Sequence, residues 1–302
     1  MQGKNLRLSH SQVGMMLRCP KQWEFRYAKG MKIKPSGPMI TGSAFHKVAE
    51  VTFKRRMVGG MPVTIEEAGD IYSTDFNRAM SEEEIEWKPG VNPGEMKDDG
   101  IILARNYLQT IVPGIFPTMV EHVDQFEMIP GVDMMVVIDT VDSGTNIVDY
   151  KVTGKAWSDG QAETEIQHYP YLWYMNWLGG AKQPWEGDTS FEYHVNLLTR
   201  AKKKRTKPKK WDPVNDALVM RKNVDSVITE AGFRLYREQV EGVAAMIHAG
   251  LFPPRGRAAK NFWCSEGMCG YWEYCKGATY KSFAGINKAA FKTTRLVSFK
   301  DA

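Results

Sequence analysis

The chain has 302 residues, of which 43% are hydrophobic and 25% charged, and its formal net charge is +5. These proportions are typical of a folded globular protein and exclude a disordered or fibrous chain. The N-terminal segment lacks the apolar core of a signal peptide, and no stretch approaches the roughly 20 apolar residues of a membrane helix. We therefore expect a cytoplasmic protein.

The first half of the chain has helical patterns. Residues 8–29 predict two short helices separated by Pro20, and residues 41–60 predict a helix that ends at two glycines. Residues 64–110 predict two more helices, broken by the turn sequence KPGVNPGE. We expect the acids of this region to form a solvated face; they are Glu66, Glu67, Asp70, Asp75, Glu82, Glu83, Glu84 and Glu86.

Beyond Val120 the pattern changes to strands. Short segments rich in Val, Ile and Met predict strands at residues 121–129, 132–141 and 145–152. Later elements are predicted as a helix at 162–178, a strand at 190–199, a loop or β-ribbon up to about 222, and a long amphipathic helix at 224–250. Helices on both sides of a run of strands indicate one mixed α/β domain.

The positive charge is concentrated in one segment. Residues 200–210 (RAKKKRTKPKK) hold eight basic residues and no acidic one, so the rest of the chain carries a net charge of −3. Such a cluster suits phosphate groups, and a solvated charged loop without a ligand is the alternative. The candidate phosphate-binding residues are Lys202, Lys203, Lys204, Arg205, Lys207, Lys209 and Lys210.

The four cysteines form a candidate metal site. Cys264, Cys269 and Cys275 are spaced C-x4-C-x5-C, close enough to surround one soft metal centre, and Cys19 lies 245 residues upstream of them. A tetrahedral zinc ion or an iron–sulfur cluster requires four ligands, and both accept four thiolates, so ligand type leaves the two open. The alternative is that Cys19 is a small core residue and the other three are an incidental group.

A second candidate site lies in the segment MMVVIDTVDSGTNIVDYKV. Asp139 is predicted to end one strand, and Asp149 and Lys151 lie on the next, where residues i and i+2 share a face. A hairpin would bring Asp139 near Asp149. Two carboxylates suit Mg²⁺ or Mn²⁺, and a nearby lysine can orient a water molecule. The alternative is an Asp–Lys ion pair on an exposed hairpin.

Two further segments carry polar groups at helical spacing. His46 lies one helical turn after Gly42, a glycine that would permit close packing, and Gln167 and Tyr171 share a helix face at i,i+4. Taken alone, His46 is a structural histidine and the other two are helix surface. Trp157 and Trp211 are candidate base-stacking residues because they lie near the hairpin and the basic run.

In this order, the segments resemble RecB-type nucleases of the PD-(D/E)xK superfamily. The resemblance is greatest to the iron–sulfur branch, which includes AddB-type nucleases, CRISPR-associated RecB-like exonucleases and many phage exonucleases. It spans about residues 8–276 and is carried by LSHSQVGMMLRCPKQWEFRY, GSAFH, VVID, VDYK, QHYPY and CSEGMCGYWEYC.

The resemblance implies a role for each matching residue. His46, Asp139, Asp149 and the backbone carbonyl of Tyr150 would bind the metal ion, and Lys151 would be the catalytic lysine. Gln167 and Tyr171 would position DNA, and Glu121 would be a supporting carboxylate. Cys19, Cys264, Cys269 and Cys275 would hold a structural 4Fe–4S cluster, with zinc as the other possible occupant. Two positions depart from the family pattern: the x4 spacing after Cys264, where x2 is common, and Val152 in place of a threonine.

The implied fold is a restriction-endonuclease-like α/β core in a single domain over residues 1–302. We expect a helical flank at 8–118, the catalytic sheet and Gln167 helix at 119–200, a basic excursion at 201–222, and a helix with the cysteine segment at 223–280. The implied function is a Mg²⁺- or Mn²⁺-dependent DNA exonuclease of a phage or bacterium, acting in DNA processing or recombination, with a helicase, single-strand-binding or recombination protein as partner. The alternative is a catalytically silent scaffold that binds nucleic acid.

Overall fold

The computed structural model describes residues 5–206, 217–255, 264 and 268–275. The N-terminal elements are strand β1 (Leu6–Ser9), helix α1 (His10–Arg18) and helix α2 (Pro20–Trp23), followed by a wider helical turn at Glu24–Ala28. Ser9 caps α1 by accepting from the backbone N–H of Gln12 at 3.4 Å, and Pro20 opens α2, where its missing N–H costs nothing. The prediction of two short helices separated at Pro20 is confirmed.

Three long helices follow. They are α3 (Gly37–Met57), α4 (Ile65–Glu82) and α5 (Pro93–Thr110). Helix α3 starts earlier than predicted because Pro38 lies in its first turn, a position that favours proline. The prediction of a solvated acidic face was wrong for Asp75, which is buried and pairs with Arg78 at 2.7 Å.

The rest of the described chain alternates strands and helices. The elements are β2 (Pro117–Ile129), β3 (Val132–Asp142), β4 (Asn146–Thr153), α6 (Gln161–Thr164), α7 (His168–Leu178), β5 (Ser190–Leu197), α8 (Leu198–Arg205), β6 (Val219–Asn223) and α9 (Glu230–His248). The predicted helix over 162–178 is two helices, because Pro170 is tolerated only in a first turn and so requires α7 to begin just before it. Asp139 does not end its strand, since β3 continues to Asp142.

The strands form one mixed sheet of six strands in the order β1-β3-β4-β5-β6, with β2 paired to β3. Strand β3 pairs with β2 along one edge. Along its other edge it pairs first with β1, in parallel, and then with β4, in antiparallel orientation. Strands β4 and β5 are parallel. This mixed sheet flanked by helices confirms the predicted α/β class. Among the described helices, none has the length and apolarity needed to cross a membrane.

Two apolar cores lie against the sheet. One contains residues of α1, α7 and α9 together with Ile147 of β4, and the other contains residues of α3, α4 and α5 together with Val148 and Tyr150. Neighbouring residues of β4 therefore face opposite cores, as alternation on a strand requires. The side chain of Tyr150 packs in the core of α3, α4 and α5, here called the helical core. Asp149 and Lys151 therefore share the opposite face of β4.

The helical core depends on close contact between α4 and α5 at Gly100. A Cβ added there would lie 1.9 Å from the hydroxyl of Tyr72, which is fully buried. Gly42, by contrast, would place its Cβ in open space, so the expectation that it permits close packing was wrong.

Replacement of Gly100 by alanine is therefore expected to lower the free energy of unfolding by about 1–3 kcal/mol, because the core must move to admit the methyl group. Gly42→Ala, also in a helix, is the matched control and is expected to raise stability by up to about 1 kcal/mol. Denaturant titration of both variants measures the difference. Equal stabilities would contradict the packing argument.

Candidate active site

Three side chains from three different elements meet at the centre of the sheet. His46 comes from α3, Glu121 from β2 and Asp139 from β3, and one ligand atom from each lies within 4.8 Å of the others. His46 Nδ1 is 3.5 Å from Asp139 Oδ1, and its Nε2 donates to the carbonyl oxygen of Tyr150 at 2.9 Å. An imidazole, two carboxylates and a carbonyl are a donor set that suits Mn²⁺ or Mg²⁺.

Glu121 reaches this group through an unusual backbone. Its φ is 49°, the left-handed region, although it lies within a long strand. The pairs Val120–Thr140 and His122–Ile138 flank it, so it lies opposite Asp139. A non-glycine residue in this conformation costs about 1–3 kcal/mol and is most often found at functional sites.

The electrostatic interactions among His46, Glu121 and Asp139 favour a bound cation. Burial acts to lower the pKa of His46, but the charges of Asp139 and Asp149, together with the hydrogen bonds of the ring, outweigh burial and raise that pKa to about 9. Burial, together with the charge of Asp139, raises the pKa of Glu121 to about 7. Burial acts to raise the pKa of Asp139, but the charge of His46, together with hydrogen bonds from His46 and the Tyr150 N–H, lowers it. A positive charge among these carboxylates is therefore favoured.

A second polar group adjoins the first. Lys151 Nζ lies 2.7 Å from Asp149 Oδ2 and donates to Gln167 Oε1 at 2.6 Å. The contact with Asp149 is an ion pair outside hydrogen-bond geometry. Gln167 Nε2 in turn donates to Asp149 Oδ1 and, at 3.3 Å, to the hydroxyl of Tyr171. The predicted sharing of a helix face by Gln167 and Tyr171 is confirmed by this contact.

Burial and charge set the protonation of this second group. Burial acts to lower the pKa of Lys151, but the charge and close contact of Asp149, together with the charge of Asp139, outweigh burial and raise that pKa. Burial raises the pKa of Asp149 to about 6, although the charge of Lys151 opposes this. The ammonium also lies 5.7 Å from the ring centroid of Tyr193. Lys151 is therefore a positive charge held beside the group of His46, Glu121 and Asp139.

Gln167 holds the lysine and the carboxylate in register, and its replacement tests that role. If the protein hydrolyses DNA, as the resemblance implies, Gln167→Leu is expected to lower the kcat of that reaction by about 10- to 100-fold with little change in KM. Losses of this size follow the removal of a group that orients a ligand. Gln161→Leu, six residues earlier and outside this group, is the matched control. Steady-state kinetics on both variants measures the effect, and equal kcat values would contradict the role.

His10 is a neighbour of the site that the sequence reasoning missed. Its Nδ1 is 3.4 Å from the Tyr171 hydroxyl, and the two rings meet edge to face at 5.5 Å. Burial and the charge of Lys151 lower the pKa of His10 to about 3, so its ring is neutral. The contact joins residues 161 positions apart, and no local pattern signals it.

The four cysteines line one cavity. Cys19, Cys264, Cys269 and Cys275 share it with Arg18 and Gln22, and Gln22 Nε2 donates to Cys269 Sγ at 3.1 Å. Tyr271 locks the later segment in place by packing on Phe25 and donating to the carbonyl of Met31 at 3.0 Å. Among the described residues, no three cysteine sulfurs lie within 4.8 Å of one another. The structure thus brings all four predicted cysteines together, with wide spacing.

The predicted basic segment is partly neutralised. Residues 198–205 form α8, and two of its cations pair with acids of α5: Lys202 with Glu95 at 3.4 Å and Arg205 with Asp99 at 3.2 Å. Lys203 is exposed. Lys207, Lys209, Lys210 and Trp211 lie outside the described residues. Trp157 is partly buried against the ring of Tyr193, at 5.2 Å.

Two comparisons with known proteins found matches to this chain. A family model of the PD-(D/E)XK nuclease superfamily matches residues 7–276. A crystal structure of a protein from Eubacterium rectale, described as a "putative exonuclease", superposes with a TM-score of 0.52 at 12% identity, covering 83% of this chain and 84% of that one. At that identity the likeness concerns the fold. No curated protein matches the sequence. The family match covers most of the chain, and the chain belongs to the PD-(D/E)XK nuclease superfamily.

Proposed function

We propose that the protein is a divalent-metal-dependent deoxyribonuclease that hydrolyses phosphodiester bonds at DNA ends. The observation that carries the proposal is the meeting of two groups: the donors of His46, Glu121 and Asp139 adjoin the Asp149–Lys151–Gln167 group. An ion pair on an exposed hairpin, the alternative interpretation, does not fit, because Asp139 and Asp149 are both more than 90% buried.

The donors fit a hard divalent ion. His46, Glu121, Asp139 and the carbonyl of Tyr150 would hold it, and Asp149 lies close enough for its charge to act on His46. Glu121 thus moves from a supporting role, as first expected, to a place among the donors. A bound Mg²⁺ or Mn²⁺ supplies a Lewis acid and a water molecule of lowered pKa.

The remaining groups orient the substrate. The Lys151 ammonium, held by Asp149 and Gln167, would place its positive charge where negative charge builds on the phosphate. The Tyr171 hydroxyl and the neutral His10 ring fix the far side of Gln167. Each of these residues is positioned before the substrate arrives.

A time course on DNA labelled at opposite ends tests the function. Single- and double-stranded substrates are incubated with Mn²⁺, with Mg²⁺ or with a chelator. We expect metal-dependent release of short products from one end. Uniform internal cleavage would contradict hydrolysis at DNA ends and indicate an endonuclease. Binding of DNA without any metal-dependent hydrolysis would contradict the nuclease activity and indicate a catalytically silent scaffold that binds nucleic acid.

We also propose that the four cysteines hold a 4Fe–4S cluster. All four cysteines line one cavity, which supports a single group bound by the four thiolates. Zinc and an iron–sulfur cluster both accept four thiolates. Analysis of iron, acid-labile sulfide and zinc in anaerobically purified protein separates the two. Zinc without iron would contradict the cluster.

A further inference from the structure

A cleft of about 430 Å³ opens beside the metal-binding donors. His46 and Glu121 lie in its wall, and the other lining residues are Ser43, Lys47 and Glu50 of α3 and Asp75 and Arg78 of α4. The volume falls in the range of small-ligand sites, whereas a whole duplex is far larger. The cleft is therefore of a size for a segment of one nucleic-acid strand.

The α3 wall is long enough for more than one nucleotide. Its lining residues run from Ser43 to Glu50, which is two helical turns or about 10 Å. Phosphates recur about every 3.4 Å along the axis of a DNA duplex strand, and they lie further apart in an extended single strand. A strand whose scissile phosphate lies at His46 would thus place a neighbouring phosphate along this wall.

Arg78 lies in the part of the wall that α4 forms, and two ion pairs fix its position. Its Nη2 contacts the buried carboxylate of Asp75 at 2.7 Å, and its Nη1 contacts Glu82 at 3.0 Å. The side chain is nevertheless 52% exposed. A guanidinium has five N–H donors, more than these contacts use, so it can also donate to a phosphate. Asp75 therefore orients the cation toward the cleft instead of removing it from use.

Lys47 can change partners at little cost. It pairs with Glu50 at 3.0 Å, and Glu50 is also paired with Lys54 at 2.7 Å. Exposed ion pairs of this kind contribute only about 0–1 kcal/mol. A phosphate can thus take Lys47 while Glu50 keeps Lys54.

We propose that this cleft is the path of the DNA strand next to the cleaved bond, with Lys47 and Arg78 each contacting a backbone phosphate. The inference rests on the proposed function and adds the course of the substrate. Its cations act on the backbone, so the contacts are independent of base sequence.

Binding of a fluorescent single-stranded oligothymidylate, with Ca²⁺ replacing Mg²⁺, tests the path. We expect Arg78→Ala and Lys47→Ala each to weaken binding about tenfold. Each should also reduce the slope of log affinity against log salt by about 0.7, the value for one phosphate contact with a single strand. Arg237→Ala is the matched control, because Arg237 forms the same i,i+4 pair, with Glu241, on α9. It should bind like the wild type.

Hydrolysis of a thymidine dinucleotide supplies a second readout. The dinucleotide carries only the scissile phosphate, so the double variant should lower its kcat/KM by a smaller factor than that of the long strand. A double variant that binds the long strand with wild-type affinity and salt slope overturns the path alone. A wild-type protein that neither binds nor cleaves DNA overturns both the path and the proposed function.

Discussion

Asp139→Asn is expected to reduce DNA hydrolysis by on the order of 10³-fold or more. Asp139 contributes an oxygen to the donor group, contacts His46, and accepts from the Tyr150 N–H at 3.0 Å. The substitution keeps the shape and removes the charge. Initial rates with Mn²⁺ measure the loss. Thermal melting with and without Mn²⁺ shows its cause, because a bound ion raises Tm by several degrees only where it binds the folded state.

The same strand offers a matched control. Asp133 also lies on β3, but it accepts from Asn5 at 2.9 Å, away from the donor group. Asp133→Asn should keep both the activity and the Mn²⁺ shift of the wild type. Activity equal to wild type in Asp139→Asn would indicate a contaminating nuclease. Loss of activity with an unchanged Mn²⁺ shift would place the ion elsewhere.

Cys264→Ser is expected to yield colourless protein that is less stable than the wild type. A group bound by Cys19 and the three later cysteines would close a loop of about 245 residues. By comparison with other long-loop cross-links, its loss should cost about 2–4 kcal/mol. That corresponds to a fall in Tm of roughly 4–16 °C. Absorbance, iron and sulfide content, and thermal melting measure the effect.

Wild-type protein stripped of its metal is the comparison for this variant. If the cluster stabilises the fold, stripped wild type and Cys264→Ser should melt at the same temperature. A variant that kept iron, sulfide and full thermal stability would exclude the cysteines as a structural clamp. A variant that lost the metal and kept its Tm would leave the metal site without a role in stability.

Much of the fold could be predicted because its elements carry local signals. Gly59 and Gly60 marked the end of α3, the sequence KPGVNPGE marked the break before α5, and runs of Val and Ile marked β3 and β4. Strand β1 was missed because four residues are too few for a pattern, and its partners in β3 lie 126 residues further along the chain (132 − 6). The division before α7 could have been predicted, since Pro170 is incompatible with the interior of a longer helix.

The candidate site was predicted in part for the same reason. Asp139, Asp149 and Lys151 lie on one hairpin, where strand periodicity indicates which side chains meet. Glu121 was given only a supporting role because its approach depends on a left-handed backbone, which an ordinary strand pattern does not show. His10 belongs to the N-terminal helix α1, and its contact with Tyr171 depends on the tertiary structure.

Helix α1 spans the distance between the two centres of the protein. Its first residue, His10, contacts Tyr171, and its last, Arg18, lies in the wall of the cysteine cavity. Nine residues form a rigid rod of about 13.5 Å. Strand β1, directly before it, is hydrogen-bonded to β3, which carries Asp139. A group bound at the cysteines would therefore fix the C-terminal end of α1. Because the N-terminal end of α1 contacts Tyr171, the bound group would help determine the geometry of the candidate active site.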